Sequence, residues 1–380
     1  MKFAVLQENL KKGLAIVAPA VSTRGTLPVL GNVALEAADG RLKLSAMNLE
    51  MSIATYVGAL VDESGGVTLP FRLLKDFVGT LPKERIDMEL NGHTQVMRLT
   101  CGRTNAKING IDLAEFPQLP APKGEPTFTP SIWNLRCMIE SVIHAAATDI
   151  SRPTLTGVSM KIENQKLTAA ASDGFRLAVR SQSMESFASA MALVPGRTLG
   201  ALLQVMNGED DEEPVQVFIR EDSAQVFFCL PGADLATQTI DANYPDYRRI
   251  IPEKCKARYV LSAFGLERAV KTVLMFADNN WVTLSVAEAV PEVLSAELSL
   301  YVEAAGKEKG GEALVLIDLG DGSDNVGMEI AVNGDFLLQA LAAWDAPEVA
   351  LEFTDKGRPL VLRPLDGTDG VQVIMPMTAK

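Results

Sequence analysis

At 380 residues, 47% of them apolar and with a formal charge of −13, the chain has material for two or three domains with substantial cores. No apolar run approaches the roughly 20 residues a spanning helix needs, and Met1-Lys2-Phe3-Ala4-Val5 lacks a signal-peptide core, so a soluble cytoplasmic protein is expected. Two histidines and four scattered cysteines without a CxxC pair argue against His-based catalysis, a zinc site or a disulfide framework, and the acidic average excludes a uniformly nucleic-acid-binding surface but not a single basic face.

Taken in order, the elements repeat. Phe3 and Leu10 recur as Phe128 and Leu135, Val17 as Val142, Leu30 as Leu155, Leu42 as Leu167 and Pro70 as Pro195, all at one offset without a gap. A third copy is fainter: Tyr259, Leu266 and Val273 keep the spacing of Phe128, Leu135 and Val142, and Val332-Asn333-Gly334-Asp335-Phe336-Leu337 echoes Val194-Pro195-Gly196-Arg197-Thr198-Leu199. Each unit reads as an opening strand, a helix, several strands, a second helix and closing strands. Ile132, Leu135, Ile139 and Val142 form one helical stripe. Gly40-Arg41-Leu42-Lys43-Leu44-Ser45 and Val215-Gln216-Val217-Phe218-Ile219 alternate as half-buried strands do. The second helices start after Pro70, Pro195 and Asn333, where proline or a polar cap suits a helix start. The expected fold class is α+β: three tandem domains, 1–121, 122–253 and 254–380, with antiparallel sheets and two helices on one side of each.

Repeated domains on short linkers are expected to continue their sheets edge to edge, because an open edge strand is a liability until it is paired. A closed symmetric ring then protects the ends. The helices carry Lys11, Lys12, Arg72, Lys75, Arg136, Arg197, Arg268 and Lys271, while acids gather in loops such as Glu209-Asp210-Asp211-Glu212-Glu213. Solvated helix faces paired with nearby acids explain the same pattern equally well, and Asp335 to Trp344 breaks it, having no Lys or Arg. There is no Gly-rich phosphate loop, nucleophile elbow or metal-spaced ligand set. Asp318, Asp321 and Asp324 fail the EF-hand spacing and read as a solvated hairpin loop. No chemistry and no cofactor are expected.

Copies one and two differ where function would enter. Asn48-Leu49-Glu50-Met51 stands in the first where the second has Asp173-Gly174-Phe175-Arg176, and Phe116-Pro117 lacks the basic pair of Tyr244-Pro245-Asp246-Tyr247-Arg248-Arg249. From the residues alone, a turn and an ordinary linker are the simpler explanation.

The chain resembles the bacterial DNA polymerase III beta subunit, the replicative sliding clamp. The resemblance runs through Met1-Lys2-Phe3, Thr26-Leu27-Pro28-Val29-Leu30-Gly31-Asn32, Ser172 to Val179, Tyr244 to Pro252, and Val373-Ile374-Met375-Pro376-Met377. It implies a head-to-tail homodimeric ring of three-domain subunits, helices lining the hole and sheets outside, around double-stranded DNA bound without sequence reading. It implies as partners the replicative DNA polymerase alpha subunit, the clamp loader, other clamp-binding polymerases and repair proteins, and a second copy, with no membrane. By the same resemblance, a peptide pocket between domains 2 and 3 comprises Leu155, Ser172, Gly174, Phe175, Arg176, Leu177, Pro245, Arg249, Ile250, Val373, Met375, Pro376 and Met377. Arg176 and Arg249 would orient the peptide's polar groups. Phe175 stands where the family commonly has histidine, and Gly357 with Pro359 differ near the rim; these departures bear on peptide preference. Candidates for the DNA-facing wall are Lys12, Arg24, Arg72, Arg136 and Arg197, and for the dimer joint Ile108, Met275 and Phe276. The alternative is a clamp-like peptide-binding scaffold that does not encircle DNA.

Overall fold

The computed structural model describes residues 1–22, 27–186, 188–287, 299–306, 310–324 and 327–377. The first copy runs β1 (Lys2–Leu6), α1 (Gln7–Val17), β2 (Asn32–Ala38), β3 (Arg41–Met47), β4 (Met51–Gly58), β5 (Leu60–Glu63), β6 (Gly65–Pro70), α2 (Phe71–Thr80), β7 (Arg85–Asn91), β8 (Val96–Cys101) and β9 (Thr104–Asn109). The central copy has α3 (Ile132–Ile143), β10 (Gly157–Glu163), β11 (Lys166–Ser172), β12 (Arg176–Ser183), β13 (Ala190–Pro195), α4 (Gly196–Met206), β14 (Gln216–Arg220), β15 (Gln225–Cys229) and β16 (Ala233–Gln238). The last copy has β17 (Ala257–Ser262), α5 (Ala263–Leu274), β18 (Trp281–Ala287), β19 (Ser299–Gly306), β20 (Gly311–Asp318), β21 (Met328–Asn333), α6 (Gly334–Ala342), β22 (Glu348–Phe353), β23 (Leu360–Pro364) and β24 (Asp369–Ile374).

One expected element is missing from the central copy. Its opening strand is reduced to single bridges, Phe128 to Val217 and Ser131 to Pro214. Pro126 and Pro130 flank Phe128, and a residue without an N–H cannot extend a ladder.

The chain divides into two compact units. The first, Met1–Arg136 with Arg197–Thr239, holds a five-stranded sheet in the order β5-β1-β7-β8-β9 and a seven-stranded one, β14-β15-β16-β4-β3-β2-β6. Antiparallel pairing of β4 with β16, from Met51 opposite Thr237 to Thr55 opposite Ala233, carries the sheet from the first copy into the central one. Helix α1 turns Leu10, Leu14 and Val17 inward. At Gly13 it comes so close to the sheet that a Cβ would sit 2.4 Å from Leu44 Cδ1, so a larger residue would have to displace the Leu44 side chain.

The second unit, Cys137–Gly196 with Ile240–Lys380, holds a four-stranded sheet, β20-β19-β18-β21, and an eight-stranded one, β13-β10-β11-β12-β24-β23-β22-β17. Here β12 pairs with β24, from Arg176 opposite Ile374 to Ser181 opposite Asp369, and joins the central copy to the last. The last copy's core packs Leu266, Val270 and Val273 of α5 and Leu337 and Leu341 of α6 against the sheets around Tyr259, whose ring meets Phe353 edge-on at 5.7 Å. Helix starts are capped as the residue types suggest: Ser262 Oγ accepts from the Gly265 N–H at 3.2 Å, and Asn333 Oδ1 from the Asp335 N–H at 2.9 Å. Among the described residues no helix is long and apolar enough to cross a membrane.

Candidate peptide-docking site

The site lies within the second unit, where β11 ends at Ser172 and β12 begins at Arg176. Asp173 Oδ1 accepts from the N–H groups of Phe175 (2.8 Å) and Arg176 (3.0 Å). Ser172 Oγ donates to the Arg176 carbonyl (2.6 Å) and accepts from the Gly174 N–H (3.2 Å). Gly174 has φ +93°, which a side chain would strain. This tight turn leaves the Phe175 side chain 64% exposed, while its carbonyl accepts from the Met375 N–H at 2.9 Å. The tail is thereby aligned with the turn, and the Met377 N–H donates to the Ala331 carbonyl at 2.8 Å.

Beneath lies an apolar floor of Ala170, Leu177, Val179, Val361, Val371 and Val373, with Tyr244, Tyr247 and Ile251 packed against it. Leu177 and Val373 are each 1% exposed, so they support the site without presenting surface. Burial raises the Tyr244 phenol above its ordinary range. Pro245, Ile250 and Met375 are exposed around this floor, and Pro376 and Met377 are half-buried. Leu155 sits half-buried in the turn Pro153–Thr156, its N–H on the Arg152 carbonyl. Arg249 projects into solvent with Asp246 as its recorded partner, 3.0 Å away.

Arg176 corrects the sequence expectation. Its guanidinium does not face solvent but is spent internally on Asp173 (3.1 Å), the His144 carbonyl and Gln339, and stacks 4.2 Å from the Phe336 ring. Burial pulls its pKa down, against the pull of Asp173. Behind it, sequence reading missed a buried polar network. The His144 ring meets Gln372 Oε1 at 3.2 Å, Gln372 Nε2 donates to the Ser141 carbonyl at 2.9 Å, and Arg180 donates to Ser141 Oγ at 2.7 Å. Nothing local marks these residues, which meet only where the end of α3 packs on the paired β12 and β24.

Burial, then the nearby Arg176 charge, lowers the His144 pKa from 6.5 to about 4. The unfolded chain therefore binds a proton that the folded chain excludes. Stability is expected to be full above about pH 6.5 and to fall, by up to about 3 kcal/mol, as pH drops toward about 4. Urea unfolding at a series of pH values should show that slope, flattened in His144→Gln.

Lys12 on α1, Arg72 on α2 and Arg197 on α4 are exposed, Arg197 lying 3.9 Å from Glu50. Arg136 on α3 is not a free cation: only 17% of its side chain is exposed, and it donates to Asp211 (2.6 Å) and to the Met206 carbonyl. Arg24 lies outside the described residues. Ile108, at 3% exposure, is a core residue of β9 and offers no joint surface, because it points to the covered face while Lys107 and Asn109 point out. Met275, just past α5, is 67% exposed, and the half-buried Phe276 ring lies against Gly311 of β20. Among the described residues no cluster of His, Cys, Asp or Glu could hold a metal ion.

Fold and site together define a class: tandem clamp-type domains, each of two helices and antiparallel sheets, with an apolar seam where β12 meets β24. Family models for the DNA polymerase III beta subunit match in succession, the N-terminal domain at residues 1–120, the central domain at 132–246 and the C-terminal domain at 248–378. The chain belongs to the DNA polymerase III beta subunit family. Curated relatives include the beta sliding clamps of Synechococcus elongatus, 30% identical over 384 residues, and Synechocystis, 29% identical over 399, each alignment covering 99% of both chains. The crystal structure of a DNA polymerase sliding clamp from Bacillus subtilis superposes with a TM-score of 0.91 at 25% identity, covering 100% of both chains.

Proposed function

We propose that this protein is a sliding clamp: a non-catalytic, cytoplasmic processivity factor whose homodimeric ring encircles duplex DNA and tethers a replicative polymerase, a clamp loader and repair proteins by short peptides. The observation that carries this reading is the match of three successive clamp domains over nearly the whole chain, with relatives named as sliding clamps that are covered over 99% of their length. The domains are taken as 1–121, 122–253 and 254–380. The peptides dock on Phe175, Pro245, Arg249, Ile250, Met375, Pro376 and Met377, above the floor of Leu177 and Val373, with Leu155 at the rim and Ser172, Gly174 and Arg176 shaping the turn. Lys12, Arg72 and Arg197 supply sparse phosphate contacts, which hold DNA without reading sequence and without stopping movement.

Two sheet edges support ring closure. β9 ends one sheet and carries Lys107 with Arg103 beside it, whereas β20 ends another and carries Glu312 and Asp318. Pairing unlike edges of two copies closes a head-to-tail ring, adds strands to open ladders and matches charge. Met275 and Phe276 belong to the β20 side of that joint. Sedimentation equilibrium at working concentration is expected to give the mass of two chains; a stable monomer would remove the ring.

A further inference from the structure

The first unit contains a second seam built like the docking site. Asn48 Oδ1 accepts from the N–H groups of Glu50 (2.8 Å) and Met51 (2.9 Å), as Asp173 does from Phe175 and Arg176. The Glu50 carbonyl accepts from the Gln238 N–H at 2.9 Å, as the Phe175 carbonyl does from Met375, also at 2.9 Å. Asn48, Glu50 and Gln238 thus stand in the backbone places of Asp173, Phe175 and Met375. Side chains distinguish the two. Met51 occupies the place of Arg176 and is itself buried, at 3% exposure.

The seam holds a concavity of about 320 Å³. Met47, Leu49, Met51 and Pro120 give it apolar lining, with Leu49 85% exposed. Gln118, Gln225 and Gln238 line it too, and their side-chain amides make no hydrogen bond to described residues of the chain. Glu50 is its one charged lining residue. The Arg197 group nearest to that carboxylate is 3.9 Å away, and both side chains are more than half exposed, a weak pair that an incoming cation can replace.

We propose that this seam is a second peptide-docking site, taking from another protein a short extended segment in which apolar side chains alternate with Lys or Arg. Unbranched methionines accommodate varied apolar anchors. Free amides offer both donors and acceptors to an extended backbone. Glu50 selects the basic side chain, whereas the other seam presents the exposed Arg249. The two seams therefore serve partners of different charge.

The test uses the full-length protein labelled with 13C at its methionine methyls, the Met47 and Met51 signals being assigned by Met47→Leu and Met51→Leu. The probe is an acetylated, amidated hexapeptide of alternating leucine and arginine; the control replaces arginine by glutamate. Saturable shifts of Met47 and Met51 with the basic peptide alone are expected, weakened about tenfold or more in Glu50→Lys and in Leu49→Asp, both changes at exposed positions. The proposal is overturned by absence of a saturable shift, by equal response to the acidic peptide, or by unchanged affinity in both variants. Met375 and Met377 report on the other seam in the same spectra, so a response confined to them also defeats the proposal while leaving the function proposed above untouched.

Discussion

Deleting Met375 to Lys380 abolishes partner-peptide binding, a loss of about 100-fold or more in affinity, and leaves the dimer intact. Such a loss corresponds to roughly 2.7 kcal/mol, within what two or three removed apolar contacts supply at a docking groove. The deletion takes away the Met375 and Met377 side chains together with the N–H groups that tie the tail to the Phe175 and Ala331 carbonyls. It stops short of β24, whose Val373 and Ile374 are each 1% exposed and hold the β12–β24 pairing. Stability therefore changes little, and a fluorescence-polarisation titration beside a mass measurement separates the two effects. Unchanged peptide affinity would remove the tail from the site.

Replacing Leu314 and Leu316 together by lysine leaves a folded monomer. Both lie on edge strand β20, two residues apart and so on one face, at 51% and 44% exposure. Because they are already solvated in the single chain, the substitutions cost the subunit little. In the ring they place two cations opposite Arg103 and Lys107 of the partner's β9 edge and remove the apolar contact beside Met275. Ultracentrifugation should show the mass halved, with peptide binding retained. A stable dimer of this variant would move the joint elsewhere.

The repeats were legible because their signal is local. Phe3, Leu10 and Val17, their counterparts Phe128, Leu135 and Val142, and then Tyr259, Leu266 and Val273 are all buried, and the last two of each set lie two turns apart on one helix. The loss of the central opening strand was not foreseen, although Pro126 and Pro130 flank Phe128 and cannot donate to a ladder. Side-chain direction was not legible. The motif around Arg176 marked the right turn, but only the partners brought in by β24 and α6 show that its guanidinium is held inside. Arg136 reads as a helix-surface cation until Asp211, 75 positions away, pairs with it. Ile108 alternates with Lys107 and Asn109, and which face of an edge strand is covered depends on distant packing. Resemblance named the docking residues, while the floor of Val179, Val361 and Val371 emerged from pairing across the seam.

A ring that surrounds DNA holds it topologically. The most direct measurement loads the labelled clamp onto nicked circular duplex with a clamp loader and ATP, removes free protein and compares release before and after one restriction cut. Long retention on the circle and rapid loss through the ends of the linear form are expected, with little effect of salt on the circle. Equal release from both would contradict encirclement.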